Sequence, residues 1–111
     1  MKKILLIAGL IMYSCSQPVQ NPKFEKNVEL AKKWFELWEA EDIEGLSLMI
    51  SEKVEWQGAF YGQEPTKSKT EVIDYINGWI GAMENINYEP DNFLAGVDPE
   101  TNLPNGSVRT Y

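Results

Sequence analysis

Residues 34–56, WFELWEAEDIEGLSLMISEKVEW, change pattern twice, and those changes decide the fold. Trp34, Leu37 and Trp38 stand at the i, i+3, i+4 spacing of a helix face. The stripe breaks at Glu41. Asp42 is a residue type whose carboxylate accepts the free N–H groups of a helix start, and Glu44 suits the positive end of the new helix. Leu46, Met49 and Ile50 give this short second helix its buried side. From Lys53 to Phe60 the period falls to two: Val54, Trp56 and Phe60 share one face, Glu55 and Gln57 the other, and Gly58 and Gly62 bracket the exit. Helix, short helix, strand is the order predicted.

Upstream, Asn21-Pro22 is an N-cap followed by a proline at the first helical position. Phe24, Val28, Ala31, Phe35 and Trp38 recur from there, and Leu30, Trp34 and Leu37 widen the stripe to about half of the circumference at about 100° per residue. Downstream, Ser68-Lys69-Thr70-Glu71 is a capping box that opens a third helix. Its stripe is Val72, Tyr75, Ile76, Trp79, Ile80 and Met83. Gly78 and Gly81 fall on its polar side, each costing about 1 kcal/mol relative to alanine.

Ile86 and Tyr88 then lie on one strand parity, and Phe93, Ala95 and Val97 on the other. That slip predicts a β-bulge around Pro90-Asp91-Asn92. Asp98 to Gly106 is predicted as loop, with Ser107 to Tyr111 as a return strand. The expected class is α+β, an antiparallel curved sheet with helices on one side. Trp34 and Trp79 are expected to pack against its concave face. Because the return strand lacks a partner, residues 22–111 read as the N-terminal portion of a larger domain.

With 111 residues the chain is bounded to one domain. Its apolar fraction is 43% with 12% aromatics, enough to build a core. Ten basic against 17 acidic residues leave a net charge of -7. That balance excludes nucleic acid as a partner, since phosphate binding needs a basic face. With no histidine and one cysteine, neither an internal disulfide nor a thiolate or imidazole metal cluster can be built. No metal site and no cofactor is expected.

Lys2 and Lys3 precede ten residues of apolar character, Ile4 to Tyr13. Such a run is far short of the roughly 20 residues that span a bilayer and suits a secretory leader. It ends in Met12-Tyr13-Ser14-Cys15, which resembles the lipobox of bacterial lipoproteins. The resemblance implies a leader over 1–14, a lipid on Cys15 as the first mature residue, and a location on the bacterial cell envelope facing the periplasm. Residues 15–21, with Pro18, read as a flexible tether.

Trp34 to Trp56, followed by the capped third helix, resembles the opening of the nuclear transport factor 2-like superfamily. That group includes SnoaL-like polyketide cyclases and ketosteroid isomerases. The resemblance covers about Phe24 to Tyr111 and rests on the run of elements. It implies a cystatin-like cone, a curved sheet wrapped about a long helix with a pocket at its open end, and two or three further strands after Tyr111. On that alignment the isomerase base falls at Gly58 and its tyrosine at Trp34, neither able to act. A cyclase acid would lie beyond Tyr111. No catalytic residue is therefore assigned.

The aromatics Trp34, Trp38, Trp56, Phe60, Trp79 and Phe93 are the candidate pocket lining for a flat apolar ligand; core filling accounts for the same spacing. Glu55 and Tyr61 read as a solvated strand end. Asp98, Glu100 and Asn102 alternate like calcium ligands, but the sixth position lacks glycine and the twelfth is Arg109. Three function classes follow. The first is a lipid-anchored protein binding a small apolar ligand. The others are an enzyme of the cyclase, isomerase or dehydratase kind, and a homodimeric interaction module using its sheet face.

Overall fold

The computed structural model describes residues 20–58 and 60–111. The predicted leader, Cys15 and the tether through residue 19 lie outside the described residues. The fold is α+β: helices α1 (Phe24–Glu39), α2 (Ile43–Met49) and α3 (Lys69–Ala82) precede strands β1 (Phe93–Val97) and β2 (Pro104–Thr110). Among the described residues no helix is long and apolar enough to cross a membrane.

Helix α1 starts at Phe24, two residues later than the Asn21-Pro22 signal predicts, with Lys23 in the cap position. Asn21 still organises the entry. Its Oδ1 accepts the Lys23 N–H at 2.9 Å and its carbonyl the Phe24 N–H at 2.9 Å. This turn satisfies helix-start donors without extending the helix back to the proline. Asp42 caps α2 as predicted, its Oδ1 accepting the Gly45 N–H at 2.8 Å. Ser68 caps α3, accepting the Glu71 N–H at 3.4 Å. The capping box is only half formed, because the Glu71 carboxylate accepts from the Thr66 hydroxyl.

The core lies among the three helices. Leu37 and Trp38 of α1, Leu46 of α2, Ile50 and the α3 residues Val72, Ile76 and Ile80 form one buried cluster. These are the apolar positions that the helical period selects, and burying such side chains is worth about 1.5–3 kcal/mol each. Two expectations are corrected. Trp34 packs on neighbouring tryptophans of the helical core, and Trp79 is 36% exposed at the end of α3. Neither faces a sheet.

Lys53–Phe60 is not a strand. Among its described residues only Trp56 pairs, antiparallel with Thr66, its N–H donating to the Thr66 carbonyl at 2.8 Å and its carbonyl accepting the Thr66 N–H at 2.9 Å. The chain beyond Trp56 turns instead of continuing: Gln57 Nε2 donates to the Gln63 carbonyl at 2.8 Å, and Gly62 takes φ +78°. Phe60 therefore stands 62% exposed on the loop.

Strands β1 and β2 form the sheet, an antiparallel hairpin with Phe93 opposite Thr110 and Ala95 opposite Val108. The irregularity lies between Ala95 and Val97, where Val97 pairs with Pro104, and not at Pro90–Asn92. Residues Ile86 and Tyr88 join no strand. Packing on α1 takes the ladder's place there: the Tyr88 N–H donates to Glu39 Oε1 at 2.8 Å, and its ring lies 5.0 Å from that of Phe35. The return strand begins at Pro104, three residues before the predicted Ser107, because the loop closes early. Asn102 N–H donates to the Asp98 carbonyl at 2.8 Å and Asp98 N–H to the Leu103 carbonyl at 2.9 Å. A proline is tolerated at the first position of a strand, where its missing N–H breaks no ladder.

Candidate functional site

Four of the six predicted pocket aromatics belong to one chain of rings. Trp38 and Trp34 lie 6.4 Å apart, Trp34 and Trp56 6.2 Å, Trp56 and Tyr75 6.3 Å, and Tyr75 and Trp79 6.1 Å between centroids. Tyr75, at the correct helical spacing on α3, is the link between Trp56 and Trp79. These tilted and edge-on contacts fall in the favourable range for aromatic pairs. Trp38 is 7% exposed and Trp34 and Trp56 are half-buried, so the chain mostly fills the helical core. Trp79 borders a shallow groove of about 370 Å³ with Asp74, Tyr75, Gly78 and Ala82. Phe60 joins none of these rings. Phe93 belongs to a separate place.

That place is a cleft of about 270 Å³ between the start of α1 and the hairpin. Phe24 from α1, Phe93, Leu94 and Ala95 from β1 and Pro104 from β2 supply apolar walls, and Gln20 and Asn21 stand at the chain's entry. Two amides fix the walls relative to each other. Asn21 Nδ2 donates to the Pro104 carbonyl at 3.1 Å, and Asn27 Nδ2 donates to the Gly106 carbonyl at 2.7 Å. Gly106 permits this approach. It has φ +83°, which L side chains rarely adopt, and a Cβ there would stand 3.0 Å from Asn21 Oδ1, a tight contact from which the amide would have to give way.

Among the described residues, none that lines the cleft is ionisable. Beside the cleft, Lys32 Nζ lies 5.9 Å from the Phe93 ring centroid, within cation–π reach. The Glu29 carboxylate, hydrogen-bonded at 2.8 Å, raises the Lys32 pKa and keeps the ammonium charged. The apolar walls suit an apolar group.

Glu55 and Tyr61 stay exposed, with Glu55 paired to Lys67 at 3.7 Å. Asp98 Oδ1 is occupied by its own loop, accepting the N–H groups of Glu100 and Thr101 and the Thr101 hydroxyl. Among the described residues no three acidic or cysteine side chains gather to hold a metal ion. The sequence reading missed the cleft apart from Phe93. Asn21 and Pro104 are 83 residues apart, and no local pattern marks their meeting. No protein-family model, no curated protein and no solved structure matches this chain.

Proposed function

We propose that this chain is a bacterial envelope lipoprotein, held to a membrane through a lipid on Cys15, whose folded part binds a small apolar ligand. The leader-like residues 1–14 and the Ser14-Cys15 junction support the anchor. In this reading the helices and hairpin belong to a nuclear transport factor 2-like cone. The observation that carries the ligand half is the cleft beside Phe24 and Phe93, with apolar walls and no ionisable group in its lining. Binding, not acid–base catalysis, is what such a lining supports.

Two measurements test the two halves. In a bacterial host, Cys15→Ala leaves an unprocessed precursor, while the unaltered chain gains the mass of a lipid on Cys15. Normal cleavage and secretion of the variant, with no lipid on the unaltered protein, overturns the anchor. Titration with dodecan-1-ol, followed by NMR, shifts the amides of Phe24, Phe93 and Leu94. Silent cleft amides overturn the ligand reading.

A further inference from the structure

We infer that the cleft receives the alkyl chain of a single-chain anionic amphiphile, a fatty carboxylate or a lysophospholipid, with Lys23 holding the anionic head. The inference rests on the ligand-binding reading above and names the ligand class. Size is the first argument. A volume of about 270 Å³ is some nine times the ~30 Å³ share of a water in the liquid. It falls below the range of about 300–1,000 Å³ that encloses drug-sized ligands. A strip of about nine carbon-sized groups fits, and any polar part of the ligand must stay at the mouth.

Charge at the mouth is the second argument. The chain carries a net charge of -7, so an anion is repelled by most of its surface. The start of α1 differs. Lys23 is not part of the lining but lies in the chain between the lining residues Asn21 and Phe24, with its N–H held by Asn21 Oδ1 at 2.9 Å. Its Cβ lies 3.2 Å from where a Cβ on Gly106 would stand, which sets its stem beside the strand that carries Pro104. No carboxylate pairs with Lys23 among the described residues. Lys32, beyond Phe93, is committed to Glu29 at 2.8 Å. Glu25 shares the first turn of α1 but lies two residues on, about 200° round the helix from Lys23.

Proximity to a source is the third argument. Gln20 lines the cleft five residues after Cys15 (20 minus 15). Five residues span at most about 18 Å. A lipid anchor at Cys15 therefore keeps the cleft within reach of the bilayer, where single-chain amphiphiles reside.

The test uses the full 111-residue chain carrying Cys15→Ser, so that it bears no lipid of its own. Dodecanoate and dodecyltrimethylammonium are titrated below their micellar concentrations and dodecan-1-ol below its solubility limit, all read at the amides of Phe24, Phe93 and Leu94. Dodecanoate is expected to bind about fivefold tighter than the alcohol, the scale of an exposed ion pair, and the ammonium weakest of the three. Lys23→Gln abolishes the preference and leaves alcohol binding in place. Added salt erodes it. A series of shorter and longer carboxylates gains about fourfold in affinity per methylene and levels off near nine carbons.

Lauroyl-lysophosphatidylglycerol against dodecanoate assigns the source, and tighter binding of either supports the proposal. Equal binding of dodecanoate and dodecan-1-ol overturns the headgroup inference and leaves the apolar-ligand reading standing. Failure of all three to move the cleft amides overturns both. Ala95→Trp, filling the cleft, must weaken dodecanoate; unchanged binding would put the alkyl chain elsewhere on the protein and sink the inference.

Discussion

The Trp56 indole N–H is buried and meets no acceptor among the described residues. A buried donor left unpaired costs about 1–3 kcal/mol, so this tryptophan is held for its rings and not for its polar handle. Those rings touch Trp34 on one side and Tyr75 on the other, joining α1 to α3 through the loop. Phenylalanine keeps much of that contact and removes the orphan donor. Trp56→Phe is therefore expected to cost less than about 1 kcal/mol, against about 3–5 kcal/mol for Trp56→Ala. Denaturant unfolding of both variants measures this. Comparable losses for the two would mean that the indole N–H has a partner after all. At this scale the sequence was informative about type and not about surroundings: alternation put Trp56 and Phe60 on one face, yet one is half-buried and the other exposed.

Helices were the legible elements because each carries its own evidence. The apolar period of α3 selects Val72, Ile76 and Ile80, which the structure buries, and Asp42 and Ser68 cap where their chemistry predicts. Strands depend on a partner that parity cannot name, and among the described residues of Lys53–Phe60 only Trp56 finds one. The hairpin boundary was misplaced for a related reason. Asp98 folds the loop on itself, accepting two backbone N–H groups and one hydroxyl on Oδ1, and so brings Pro104 into the strand. Those bonds favour the charged carboxylate and lower its pKa. With the folded pKa depressed, the contribution is complete above the ordinary aspartate value of about 3.9 and is lost as pH falls below it through the folded value. An acid titration followed by NMR is expected to show Asp98 protonating below the ordinary aspartate value of about 3.9, with the Glu100 and Thr101 amides losing protection in step. In Asp98→Asn that pH response is absent. An ordinary titration of Asp98 would show that the loop does not close through its side chain.

Across the whole molecule, apolar packing and the candidate cleft occupy different places. The helical cluster joins α1, α2 and α3, while the hairpin contributes no member to it. Asn21 just before α1 ties to Pro104 of the hairpin, and Asn27 of α1 to Gly106. This division also limits what one sequence could disclose: a cleft made by α1 meeting a distant hairpin is a tertiary fact, and its polar clamps look in the sequence like ordinary helix-start residues. Elements with few buried apolar contacts open at lower free energy than the core. The hairpin amides, Leu94 to Val97 and Ser107 to Thr110, are therefore expected to exchange with solvent before those of Leu37, Leu46 and Ile76. Asn27→Ala sharpens the test. It removes a 2.7 Å bond to a buried glycine's carbonyl and leaves the helical cluster untouched. Loss of that bond costs about 0.5–1.5 kcal/mol, or roughly a 2- to 13-fold rise in hairpin exchange, with the core amides unchanged. Cleft affinity for dodecan-1-ol should fall along with it, since Phe24 and Phe93 are held in register by the same clamp. Equal acceleration of hairpin and core amides would show one cooperative unit, and the cleft would then be as rigid as the helical core.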